Sequence, residues 1–132
     1  MARFILVSLA AGVLFAALDG VLNANPFAQK LLACYKPIAR SQVLAVAGLA
    51  IDVAYGLLMA ALFLLLRASL PGPPVMKGLS FGLIAWFFRV VMGVAGQWVM
   101  FAIPGETLLY QLSAGLVEMV LLGVFYGATL RA

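Results

Sequence analysis

Residues 85–103 read AWFFRVVMGVAGQWVMFAI, an apolar run with an arginine, Arg89, near its centre. The run is long enough to cross a lipid bilayer as a helix, and a permanent cation at that depth costs at least about 2.5–3.5 kcal/mol unless it is partnered. Whether Arg89 has a partner decides how the other apolar runs of the chain must pack.

Three more such runs are present, so that spans are expected at about 4–22, 43–66, 79–103 and 107–130. At 1.5 Å per residue each covers about 28–37 Å, against a hydrocarbon core of about 30 Å. Backbone groups in lipid must be satisfied internally, and none of the runs alternates with the two-residue period of a barrel strand, so helices are expected. Composition agrees. Hydrophobic residues make up 67% of the 132 residues and charged ones 9%, where a soluble domain carries about 25% charged residues. The expectation is an all-α integral membrane four-helix bundle, a single domain over 1–132. The N-terminal run lacks a clean small-x-small cleavage pattern and is read as a retained first span.

The connections differ. After the first span, NANPFAQKLLACYKPIAR offers Asn25 as an N-cap and Pro26 as a first helical residue. Phe27, Leu31, Leu32 and Tyr35 recur at helical spacing beside Lys30 and Lys36, which predicts a short amphipathic helix over about 26–36 lying in the membrane interface and ended by Pro37. Lys30, Lys36 and Arg40 are its candidate contacts with lipid headgroups, anionic lipid included. RASLPGPPVMK reads as a loop, and PGET as the tight turn of a hairpin between spans three and four.

With an even number of spans both termini share one face, called side A here; the opposite face is side B. Side A holds Arg3, Arg67, Lys77 and Arg131, against Lys30, Lys36 and Arg40 with Glu106 on side B. The small excess favours a cytoplasmic side A in a bacterial inner membrane. The net charge of +4 follows from residues flanking spans, so nucleic acid is not expected as a partner.

Asp19, Asp52 and Glu118 join Arg89 inside the apolar runs. Asp19 lies one turn from side B, while Asp52, Glu118 and Arg89 sit about 14–16 Å from a helix end. Glu118 is the nearest candidate partner of Arg89, because a tight turn joins their helices, and Asp52 is the second. Three acids against one arginine leave −2 if all ionise. Asp19 can be solvated at the interface, so either Asp52 or Glu118 must share Arg89, reach water or hold a proton. Gln97 and Asn23 complete the candidate polar network. Gly48, Gly56, Gly93, Gly96 and Gly115 flank it and are expected to let helix backbones approach closely. Spans two and four both place an acid soon after Ala-Gly-Leu (AGLAIDVAYG and AGLVEMVLLG), the pattern of a two-plus-two duplication.

The chain has no histidine and one cysteine, Cys34. That removes His-based acid–base catalysis, the common zinc sites, His-ligated haem and any intrachain disulfide. No catalytic residue, metal or cofactor is expected. LDGVLNANP with its basic sequel YKPIAR, KGLSFGL at the start of the third span and AGLVE in the fourth together resemble a loose group of small four-span bacterial membrane proteins without an assigned function. That resemblance implies the fold and no activity.

Two functional readings follow. In the first the buried network locks the helices together, and the chain serves as a homo-oligomer or as a subunit, scaffold or partner-binding module among other membrane proteins. In the second, Arg89, Asp52 and Glu118 border a polar cavity of an oligomeric transporter or channel for a small solute, ion or proton.

Overall fold

The computed structural model describes residues 1–38 and 44–130. The sequence expectations for Arg40, for Arg131 and for the start of the second span at residue 43 lie outside the described residues. Four helices are long and apolar enough to cross a membrane. They are α1 (Ala2–Ala24), α3 (Ala45–Leu66), α4 (Pro74–Met100) and α5 (Gly105–Thr129), and no strand occurs among the described residues. Large apolar side chains point outward all along them, Val46 at 85% and Leu65 at 77% exposure, as helices solvated by hydrocarbon would present them.

Between α1 and α3 lies α2 (Pro26–Leu31), which begins as the sequence suggests: the Asn25 side chain accepts a hydrogen bond from the Ala28 N–H at 2.8 Å. Its α-helical part stops at Leu31, and residues Leu32–Ile38 tighten into a 3₁₀ helix that contains Pro37. Proline has no N–H to give an i→i−4 bond, so the segment cannot continue as an α-helix through residue 37. The third span starts earlier than expected. Pro73 precedes the helix and Pro74 opens it, where a missing N–H costs nothing, and Gly72 at φ 87° turns the chain toward it.

Two antiparallel hairpins, α1–α3 and α4–α5, make up the bundle. They meet mainly along α1 and α5, whereas α3 and α4 touch only lightly. Each hairpin crosses at glycines, and the two crossings correspond atom for atom. A Cβ on Gly12 would stand 2.7 Å from the Val53 Cα and 3.4 Å from the Asp52 carbonyl; on Gly82 it would stand 3.0 Å from the Val120 Cα and 2.5 Å from the Met119 carbonyl. A Cβ on Gly56 would meet the Gly12 N at 2.6 Å and the Ser8 carbonyl; on Gly123 it would meet the Gly82 N at 2.8 Å and the Gly78 carbonyl. The molecule is thus one hairpin used twice, facing the same way.

The correspondence equates Asp52 with Met119, and Ile51 with Glu118. The acids that suggested the repeat are therefore one residue out of step, which turns them about 100° apart around their helices. It also equates Asp19, seven residues past Gly12, with Arg89, seven residues past Gly82.

Toward side A the core is aromatic. Phe63 packs edge-on to Phe81 at 5.4 Å and stacks on Tyr126 at 6.0 Å, and the Tyr126 hydroxyl donates to the Gly56 carbonyl at 2.6 Å. Toward side B, α2 is tied onto the bundle. Thr107 Oγ1 donates to the Leu31 carbonyl at 2.5 Å, the Tyr110 hydroxyl donates to the Leu22 carbonyl, and Asn25 Nδ2 donates to that hydroxyl at 3.1 Å.

Candidate functional site: a polar cavity opening to side B

Above the aromatic core, α1, α4 and α5 part to leave a cavity of about 330 Å³. Arg89 and Glu118 stand at its inner end; Asp19, Asn23, Gln97 and Gln111 line the way to side B.

Arg89 reaches this position through an irregular helix. Residues Phe87–Val91 form a π turn inside α4, with Arg89 at its centre. Gly78, Gly82, Trp86, Val90 and Val94 explain it, because all five face α5. Gly78 and Gly82 lie against its backbone, Trp86 Nε1 donates to the Leu112 carbonyl at 2.9 Å, Val90 fills the space over Gly115, and Val94 is buried. A strict four-residue spacing drifts by about 40° per step around an α-helix, so one wide turn is needed to keep the stripe on one face. That spacing is visible in the sequence and was the available signal for the π turn.

The guanidinium of Arg89 lies over two rings, with its carbon 4.9 Å from the Phe15 centroid and 4.8 Å from that of Tyr55. Each such contact contributes about 0.5–2 kcal/mol depending on desolvation, so the aromatic faces offset part of the cost of a cation placed at this depth. Neither Phe15 nor Tyr55 stands out in the sequence as a partner for a cation. Nη1 stands 3.9 Å from Glu118 Oε2, beyond hydrogen-bonding distance. Glu118 is 4% exposed and lines the cavity together with Asp19. Asn23 Nδ2 holds Asp19, at 2.9 Å to Oδ1.

Asp52 is not part of the cavity lining. Its one-residue offset from Glu118 turns it to the outside of α3, where it is half-buried, although Asp19 and Arg89 remain within electrostatic range. The glycines divide similarly. Gly56 and Gly115 lie in tight contacts, with a Cβ on Gly115 falling 2.6 Å from both Val90 methyl groups. Gly48, Gly93 and Gly96 have open space around them, so the expectation of close packing there is corrected; Gly93 borders the cavity instead. The glycines that do carry the second crossing, Gly78, Gly82, Gly123 and Gly127, are not among those expected from the sequence to pack closely.

Gln111, Tyr110 and Tyr35 were also missed. Gln111 stands on the face of Gly115 and Glu118, four and seven residues before them, which is a legible helical spacing. Its Nε2 donates to the Tyr35 hydroxyl at 2.8 Å, and that hydroxyl donates to Gln97 Oε1 at 2.5 Å. The 3₁₀ segment after α2 is thereby latched across two helices at the side B rim. Lys30 and Lys36 are exposed on this strap. Gln111 Oε1 is buried without a hydrogen-bond partner, an acceptor facing a site where water or a ligand donor would satisfy it. The described residues hold no group of three His, Cys, Asp or Glu side chains placed to share a metal ion.

No protein-family model, curated protein or solved structure matches the chain. What the cavity does has to be read from its own chemistry.

Proposed function

We propose that the chain is a small membrane transport protein, without catalysis of its own, whose cavity takes a small solute carrying an anionic group and links its passage to a proton. The observation that carries this reading is the cavity itself, which reaches the loosely held Arg89 from side B. A dry, filled core would have supported a purely structural lock. Arg89 is the anchor for the anionic group, its fork suited to a carboxylate or phosphate. Glu118, buried at the inner end of the cavity, is the proton-carrying group, and the Gln111 acceptor takes a donor of the solute. In this reading the protein resides in a bacterial inner membrane, with side A cytoplasmic and the cavity open to the outside.

One observation favours a second role, as a homo-oligomer or a subunit among other membrane proteins. Among the described residues nothing packs against Gly48, Asp52 one turn further on is only half-buried, and a carboxylate at that depth is costly against lipid. A neighbouring helix would cover both.

The test is flux into liposomes containing the purified protein, over a panel of small anionic and zwitterionic solutes with and without a pH gradient. Uptake driven by the gradient is expected, and Glu118→Gln should lower it by about a hundredfold, the lower end of what one lost proton-transfer partner removes. A folded protein that moves no member of the panel would end the transport reading and leave the subunit role ahead.

A further inference from the structure

The α3–α4 seam has a different chemistry from the cavity and lies toward the opposite face of the membrane. In the duplicated plan its counterpart is the α1–α5 seam, where the helices are in contact below the polar cavity, whereas α3 and α4 barely touch. The space left between them is an apolar groove of about 320 Å³, lined by Tyr55, Met59, Leu62 and Leu66 from α3 and by Phe81, Ile84, Ala85 and Phe88 from α4. At the side A end of the same two helices lies a second recess of about 360 Å³, bordered by Arg67 and Lys77. Leu66 of the groove and Arg67 of the recess are consecutive, and Lys77 precedes Phe81 by one turn.

We propose that this seam binds one anionic phospholipid of the side A leaflet, with its phosphate between Arg67 and Lys77 and an acyl chain in the groove. Three observations select that occupant. The first is charge. Arg67 donates to the Leu130 carbonyl at 3.0 Å, so the end of α5 orients it, and none of the chain's four acidic side chains lies within two turns of side A to neutralise the pair. Lys77 sits in the first turn of α4, where the helix dipole disfavours a cation and favours an anion. A phosphate answers both.

The second is length. From Leu66 to Tyr55 the groove rises about 16 Å, close to the roughly 15 Å that one leaflet contributes to the hydrocarbon core. It stops at Arg89, whose guanidinium is turned over the Phe15 and Tyr55 rings. The third is the shape of the wall. Helices that associate in lipid present small residues to one another, as both hairpin crossings do here. The groove presents aromatic and long aliphatic side chains with Ala85 as the single small one, a surface for a flexible chain and not for the helix of another copy.

The test uses the full chain purified in mild detergent and examined by native mass spectrometry after incubation with dioleoylphosphatidylglycerol or dioleoylphosphatidylcholine. The wild type should retain the anionic lipid about tenfold better, given the attraction of two surface cations for anionic headgroups. Arg67→Gln with Lys77→Gln should abolish that preference, and Ile84→Trp, which fills the groove from its exposed side, should lower retention of both lipids. Because Arg67 also ties down the end of α5, Lys77→Gln alone provides the check if the double variant does not fold, and should reduce the preference severalfold. Equal retention of the two lipids by the wild type would overturn the proposal. So would displacement of phosphatidylglycerol by millimolar inorganic phosphate, which would mark a headgroup site with no use for the groove, or unchanged retention in Ile84→Trp. Flux through the side B cavity is not read by this experiment, so the lipid site and the transport reading stand or fall separately.

Discussion

The two hairpins share one crossing geometry and differ in how far they are closed. In α4–α5, Gly78 and Gly82 meet Gly123 and Gly127 over two successive turns, backbone against backbone. In α1–α3 the contact narrows to Gly12 and Gly56 with Ser8 in the place of Gly78, and the side B half of α3 from Leu44 to Ile51 is exposed throughout. One hairpin is a glycine zipper over two turns, and the other is pinned at one glycine pair. The difference shows where the bundle has freedom: the zipper holds the cavity's α4–α5 wall, while α3 is free to leave the seam beside α4 unfilled.

This contrast can be broken experimentally, most severely at the zipper. Gly123→Val would drive a side chain into the Gly78 carbonyl and the Gly82 backbone, and should cost at least about 3 kcal/mol, the upper range for overpacking, seen as loss of a monodisperse bundle or a steep fall in resistance to denaturing detergent. Gly56→Ala at the single-point crossing should cost about 2 kcal/mol by the same measurement, because α3 has room to move outward. If Gly56→Ala proves the worse of the two, the zipper-and-pin distinction is wrong. Tyr126→Phe removes the hydroxyl that ties the second hairpin to the Gly56 carbonyl of the first, and a loss of about 1 kcal/mol is expected, with the fold retained. Gly48→Ala, in open space, should be neutral or stabilise by up to about 1 kcal/mol through helix propensity; a clear loss would mean that a partner helix packs there.

The spans were legible in the sequence because length and hydropathy alone decide what lipid accepts as a helix, and their ends were legible wherever a proline or Asn25 set them. Helix faces were not. In a helix whose outer surface meets lipid, both faces are apolar, and the periodic signal that orients a helix in a water-soluble bundle is largely missing. Hence Gly48 and Gly123 looked alike, although one faces open space and the other a backbone. The polar residues did carry that signal: Arg89, Glu118, Asp19, Asn23 and Gln97 line a common cavity because each would be costly anywhere else. Asp52 was misplaced by a single position, which no hydropathy pattern resolves. The rings over Arg89 could not be foreseen either, since Phe15 and Tyr55 belong to helices whose rotation only the Gly12–Gly56 crossing fixes.

The π turn at residues 87–91 has a consequence for how the third span can be altered. It works as a phase shift between two segments of one helix: the lower is keyed to the zipper and the upper to the cavity. Deleting one residue within it would restore a regular helix and rotate everything beyond by about 100°. Gly93 and Gln97 would swing away from Gln111 and Glu118 while Gly78 and Gly82 kept their places. A cysteine placed at position 97 would report that rotation as a change in labelling from side B. Arg89, at the boundary of the two phases, borders both the side B cavity and the α3–α4 groove.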